Sequence, residues 1–247
     1  MRERIAPYLL AGGRSSRMGS DKAMLRLGGK TLLARAVETL KGVRSMDTLG
    51  EEAKVTVIGD RTLLEGADRA IPDRYVGCGP LGGLEAALGD LEDTDAAAWA
   101  MFLPVDMPFL SAGLLNALLR DWIAATERGA RVCSLTVDDR PQPLVSLIHR
   151  SLRPWLLKAL DDGRFKVTPV LQSACEALAS TDAGAVRSLE LILHTTAFFK
   201  EQSSEVDLYW VPTEAQRLSR HLWFSNLNTQ EDFQVAETFL DESGSDL

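Results

Sequence analysis

Leu10-Ala11-Gly12-Gly13-Arg14-Ser15-Ser16-Arg17-Met18-Gly19-Ser20-Asp21-Lys22 begins where the apolar run Tyr8-Leu9-Leu10 ends. A helical pattern follows from about Thr31. A strand therefore runs into a glycine-rich loop that carries Arg14, Arg17 and Lys22. Glycines let backbone N–H groups approach oxyanions closely, and the cations neutralise their charge, so the loop is suited to a polyphosphate. Neither G-x-x-x-x-G-K-[ST] nor G-x-G-x-x-G fits the spacing, which excludes those two phosphate-binding loops.

Ile5 to Ala11 reads as a buried first strand, and Thr31 to Lys41 as a helix stopped by Gly42. Lys54 to Gly59 reads as a second strand, and a short one ends near Ala70-Ile71-Pro72-Asp73. A helix over Gly82 to Leu91 follows the Gly79-Pro80 turn. Ala98 to Val105 is almost continuously apolar, as a strand covered on both faces should be. Ser111 is the expected N-cap of a helix whose apolar face carries Leu114, Leu115, Leu118, Leu119, Trp122 and Ile123. Two more strands are expected at Arg131 to Thr136 and Pro143 to Ile148, then a helix from a Ser151 cap to Leu160. Strands alternating with helices in this way imply a Rossmann-like three-layer α/β/α sandwich with a mostly parallel sheet. The stretch from about 173 to 220 is the least regular. In it, Val206 to Val211 alternates like a strand, while Asp241 to Leu247 is polar, acidic and expected to be disordered.

The chain has 247 residues, 45% of them hydrophobic, enough for one substantial core or two closely fused lobes. Its net charge of −8 argues against nonspecific nucleic-acid binding. The charge is uneven, however: residues 1–45 hold ten basic side chains against three acidic ones. Helix cations such as Arg35, Lys41 and Arg44 suit a solvated face, whereas the loop cations are placed to steer and hold a small anion. Cys78, Cys133 and Cys175 are odd in number and show no metal or redox spacing, as expected in a reducing cytosol. Met1 to Ile5 lacks the apolar core of a signal peptide, and no apolar run reaches eighteen residues, so a cytoplasmic chain is expected.

Asp106 is the leading candidate for chemistry. It ends an apolar strand within Pro104-Val105-Asp106-Met107-Pro108, and strand-end crevices of open α/β sheets are where ligands bind. Its carboxylate is a hard ligand suited to Mg²⁺. Lys22 can reach phosphate oxygens as a point charge, and Arg17 can grip them with two donors. Asn226 and Asn228, two apart on an extended segment, point the same way. Thr229 then reads as an N-cap, with Gln230, Glu231 and Asp232 in the first turn.

The form L-A-G-G-x-S-x-R-M-G-x-D-K resembles the signature of the MobA-like nucleotidyltransferases. Gly79-Pro80-Leu81-Gly82-Gly83, Pro104 to Pro108 and Asn226 to Asp232 extend the likeness. It runs from about residue 5 to 172 and resumes from about 222 to 240. Within the family it looks most like the molybdenum cofactor guanylyltransferases, since the cytidylyl branch usually carries L-A-A-G where this chain has Leu10-Ala11-Gly12-Gly13. The resemblance implies transfer of GMP from Mg-GTP to molybdopterin, with release of pyrophosphate. It implies catalytic roles for Asp106, Lys22 and Arg17, with Asp106 the Mg²⁺ ligand. Nucleotide contacts would come from Leu10, Ala11, Gly12, Gly13, Arg14, Lys22, Asp73, Gly79, Pro80, Leu81 and Asp106. Acceptor contacts would come from Gln142, Asn226 and Asn228.

The same resemblance implies one nucleotidyltransferase domain over 1–247. Residues 1–110 would form its nucleotide-binding half and 111–240 its acceptor half, with an extra segment at about 173–220. GTP and molybdopterin are the implied partners, with transient contact to molybdenum-insertion and molybdoenzyme-maturation proteins. Where the family often shows an asparagine after the second strand, this chain has Gly59-Asp60. A cytidylyltransferase, transfer to another phosphorylated acceptor, and a nucleotide-binding adaptor without turnover stay open as other readings.

Overall fold

Alternate residues along the two central strands face opposite ways, and this places a layer of helices on each side of them. The computed structural model describes residues 3–12, 21–43, 54–95, 97–181, 188–193 and 212–243. In chain order these residues form β1 (Ile5–Leu10), a small hairpin of β2 (Arg26–Leu27) and β3 (Lys30–Thr31), α1 (Leu32–Lys41), β4 (Thr56–Ile58) and β5 (Arg69–Ile71). Next come α2 (Pro80–Thr94), β6 (Trp99–Pro104), α3 (Ala112–Thr126), β7 (Val132–Val137) and β8 (Arg140–His149). The remainder is α4 (Arg153–Asp161), α5 (Val167–Thr181), β9 (Ser188–Leu193), α6 (Glu214–Leu218) and α7 (Gln230–Ser243).

Leu9 of β1 and Met101 and Leu103 of β6 pack with α1, α3 and α7. Tyr8, Leu10, Ala100 and Phe102 face the other way, onto α2, α4 and α5. The result is a three-layer α/β/α sandwich. Its seven-stranded sheet has the order β5-β4-β1-β6-β8-β7-β9. All neighbours are parallel except those of β8, which runs antiparallel to both β6 and β7. From β1 the chain moves outward through β4 and β5, then returns to the opposite side of β1 as β6. The strand order thus reverses between β1 and β6, and open α/β sheets bind ligands beyond the carboxyl ends of their strands at such a point.

Local chemistry accounts for the element ends. The Thr31 hydroxyl caps α1 by accepting from Ala34 N at 3.0 Å, and Ser111 caps α3 through Leu114 N at 3.2 Å. Helix α2 starts at Pro80, two residues earlier than its apolar pattern suggests. Proline needs no N–H donor in a first helical turn, and Gly79 supplies the left-handed φ of 65° that turns the chain into it.

Five sequence-based expectations change. Ser151 does not cap α4: His149 caps a short 3-10 turn through Ser151 N, and α4 begins after it. Strand β8 forms a hairpin with β7 through Asp138 and Asp139, whose φ values of 45° and 61° are the left-handed pair a two-residue turn requires. Arg35 is buried, not solvated, and its Nε and Nη2 donate to Leu27 O at 2.9 and 2.7 Å. The outer edge strand is β9, drawn from the stretch taken as extra, and it pairs in parallel with β7. The strand expected at 206–211 lies outside the described residues, while α7 runs to Ser243, into the stretch expected to be disordered. Among the described residues no helix is long and apolar enough to cross a membrane.

Candidate active site

Parallel pairing of β5, β4, β1 and β6 brings their carboxyl ends to one edge of the sheet. Asp73, Gly59-Asp60-Arg61, Leu10-Ala11-Gly12 and Asp106 follow those ends and so share that edge. The ends of β1 and β6 are tied together by Val105 N donating to Leu10 O at 3.1 Å.

At the reversal point Lys22 meets Asp106. The Lys22 Nζ donates to Asp106 Oδ2 at 2.7 Å and to Asn228 Oδ1 at 2.6 Å. The two charged side chains keep only 15% and 20% of their surface exposed, so the pair lies in a partly dry crevice where Coulomb attraction is stronger than in water. Three segments far apart in sequence thus converge on one ammonium group. Leu227 N donates to Asp106 O at 2.9 Å, which fastens the asparagine segment to the strand-end motif. Asp232 Oδ2 accepts from Asn228 N and Thr229 N at 2.8 and 2.7 Å, and Thr229 Oγ1 accepts from Asp232 N at 3.1 Å. Burial pushes the Asp232 carboxyl up, but those N–H donors, the Thr229 hydroxyl and the nearby Lys22 charge hold it below its ordinary value. This cap fixes where Asn228 points.

The remaining expected residues divide between the crevice and the core. Gly12 is exposed beyond β1, whereas Ala11 is buried and its N–H donates to Ile58 O at 3.3 Å. Leu10 and Leu81 are buried in the core, so only their backbones are left for a ligand. Gly79 and Pro80 form the turn into α2. Asp73 lies beside that turn: its Oδ1 accepts from Tyr75 N at 2.9 Å, and Gly82 leaves room for its carboxylate against the first turn of α2. Burial raises the Asp73 carboxyl, and the Tyr75 N–H opposes the rise.

Gln142 sits near the start of β8, which antiparallel pairing directs toward the carboxyl end of β6. Asn226 precedes Leu227 on the segment tied to Asp106. Gly13, Arg14 and Arg17 lie outside the described residues.

Sequence reasoning missed Arg61. Its Nη1 donates to Asp21 Oδ2 at 2.5 Å, and its Nη2 donates to Asp21 Oδ1 at 2.8 Å and to Ala11 O at 2.6 Å. No local pattern marks it: an arginine just past the second strand falls on the ligand edge of an open sheet only once that strand is known to adjoin the first.

Comparison with known proteins places the family and the fold. The model of the MobA-like NTP transferase domain matches residues 8–183. A probable molybdenum cofactor guanylyltransferase of Opitutus terrae is 37% identical over 116 residues, covering 47% of this chain and 54% of that protein. The chain thus spans about half the length of that relative. A molybdenum cofactor guanylyltransferase of Rhizobium johnstonii is 29% identical over 238 residues, covering 96% of this chain and 93% of that protein. The crystal structure of molybdopterin-guanine dinucleotide biosynthesis protein A from Archaeoglobus fulgidus shares the fold, with a TM-score of 0.64 at 19% identity over 96% of this chain and 99% of that one. With residues 8–183 matched, over two thirds of its length, the chain belongs to the MobA-like NTP transferase domain family.

Proposed function

We propose that this chain transfers GMP from Mg-GTP to molybdopterin in the cytoplasm, forming molybdopterin guanine dinucleotide and pyrophosphate. The single observation that carries the reading is the convergence of Lys22, Asp106 and Asn228 beside the β1–β6 reversal, in a chain whose relatives are named for guanylyl transfer. Asp106 and Lys22 are its catalytic residues, with Arg17 a third from the glycine-rich segment.

The donor set fits a cation that arrives with the nucleotide. Among the described residues no three His, Cys, Asp or Glu side chains cluster to hold a metal. Asp106 offers one partly exposed carboxylate, and Mg²⁺ characteristically takes one or two carboxylates together with phosphate oxygens and waters. Asp106 would hold the ion, which when bound neutralises triphosphate charge.

The acceptor's phosphate monoester is largely dianionic near neutral pH, its second pKa being about 6, so no side-chain base is needed to activate it. One of its oxygens forms a bond to the α-phosphorus of GTP. The bond from the α-phosphorus to the bridging oxygen breaks, and pyrophosphate leaves with the electron pair. The work left to the protein is alignment and charge stabilisation. Lys22, freed from Asp106, places its ammonium on the phosphates. Asn228, held by Asp232 and Thr229, limits where that ammonium can go and faces the acceptor side.

Pyrophosphate release by the purified protein with Mg²⁺ and molybdopterin, with GTP, CTP and ATP offered separately, tests the reading. Release with GTP alone is expected. Preference for CTP would move the chain to cytidylyl transfer. Tight GTP binding without release from any nucleotide would overturn transferase action on this acceptor.

A further inference from the structure

Arg61 holds two points of the chain that flank the glycine-rich segment. One is Ala11 O, just past β1. The other is the Asp21 carboxylate, which both of its terminal nitrogens grip. The Arg61 side chain is only 12% exposed, and its Nε is buried without a partner among the described residues. Asp21 in turn accepts from Ala23 N at 3.2 Å and caps the 3-10 turn Lys22–Met24. The residue next to Asp21 is Lys22, whose ammonium sits between Asp106 and Asn228. A continuous set of contacts therefore runs from the end of β1 through Arg61 and Asp21 to the backbone origin of Lys22.

We propose that Arg61 is a positioning residue for nucleotidyl transfer: through Asp21 it fixes the backbone from which Lys22 reaches the phosphates. The inference rests on the guanylyl-transfer reading above. Arg61 is suited to this work and lysine is not, because three acceptors in a fixed fork need a planar guanidinium. The Arg61 hydrogen bonds hold the Asp21 carboxyl below its ordinary range against the opposing effect of burial, as expected for an ionised partner. Direct phosphate contact by Arg61 is the competing role, and the two make different demands on Asp21 and Lys22.

The test uses the full chain with GTP, Mg²⁺ and molybdopterin, and measures pyrophosphate release, affinity for a fluorescent GTP analogue, and Tm. Arg61→Gln and Asp21→Asn are each expected to lower kcat/KM by about tenfold or more, as loss of a charge-assisted hydrogen bond does. The double variant should be no worse than either single one, since both break the same link. Arg61→Lys should fail to restore activity. In a Lys22→Met background, Arg61→Gln should cost almost nothing further, while Tm stays within a few degrees throughout.

Three outcomes overturn the proposal while leaving the transferase reading in place. One is an Arg61→Gln variant within twofold of the wild type. Another is full rescue by Arg61→Lys. The third is an undiminished loss from Arg61→Gln in the Lys22→Met background, which would make Arg61 a phosphate ligand. A wild type that releases pyrophosphate from none of GTP, CTP and ATP overturns the transferase reading, and this inference with it.

Discussion

Lys22 Nζ and Asp106 Oδ2 are 2.7 Å apart although 84 positions separate them in the chain, and Asn228 closes the same ammonium from a third segment. The ammonium therefore has a defined resting place on the carboxylate that is proposed to receive the metal. Metal and nucleotide must compete with it, so loading Asp106 and releasing Lys22 onto the phosphates are one exchange.

Asp106→Asn is expected to reduce pyrophosphate release by about a hundredfold or more, the size of effect associated with losing one electrostatic group at a reacting centre. The asparagine is nearly isosteric, so Tm should change little. Raising Mg²⁺ should not restore the rate. Near-normal turnover at saturating Mg²⁺ would remove Asp106 from the mechanism.

Gly82→Ala tests whether Asp73 is held by the start of α2. A Cβ at Gly82 would lie 2.7 Å from Asp73 Oδ1 and 2.9 Å from Tyr75 O. Alanine in place of an unhindered helical glycine would add about 1 kcal/mol of stability. Here one obstacle is backbone and cannot swing aside, so the sign should reverse to a loss of about 1–3 kcal/mol, the range for overpacking. Displacing the Asp73 carboxylate should weaken GTP affinity at the same time. Denaturant melts and a GTP titration measure the two effects. A raised Tm would show that the turn at Tyr75 gives way easily.

What could be read from the sequence follows from how local each feature is. The first strand, the apolar strand before Asp106 and the caps at Thr31, Ser111 and Thr229 each rest on a few neighbouring residues, and all of them appear in the fold. Asp106 and Lys22 stand out in the sequence by residue type, but their contact does not, because strand order is a property of the whole sheet. Arg61 was missed for the same reason: its contacts with Ala11 and Asp21 exist only because β4 lies beside β1. The β7–β8 reversal was hidden because its turn is Asp138-Asp139, without the glycine that usually marks a left-handed pair. Ser151 read as a helix cap because a serine before a proline-started helix fits that role. Instead His149, two residues earlier, caps a 3-10 turn by accepting from Ser151 N at 3.2 Å, and α4 follows without a side-chain cap.

His149 makes the fold sensitive to mild acid. Burial lowers its pKa to about 4, helped by Arg131 and Arg150 and opposed by Glu3. Its Nδ1 lies 2.8 Å from Ser151 Oγ, and the ring meets Trp99 edge to face at 4.7 Å. In the unfolded chain a histidine takes a proton near pH 6.5. The folded protein takes it only near pH 4, so between those values the unfolded state binds more protons and stability falls as the pH falls. The loss over this window should be on the order of 3 kcal/mol, because each pH unit between the two protonation points is worth about 1.4 kcal/mol. His149→Asn keeps an acceptor for Ser151 N and removes the titration. Wild type and variant should therefore differ more in their response to acid than in stability at pH 7.5. Urea melts at pH 7.5, 6 and 4.5 measure the slopes. Equal slopes for the two proteins would mean that other groups, buried carboxylates among them, carry the acid response.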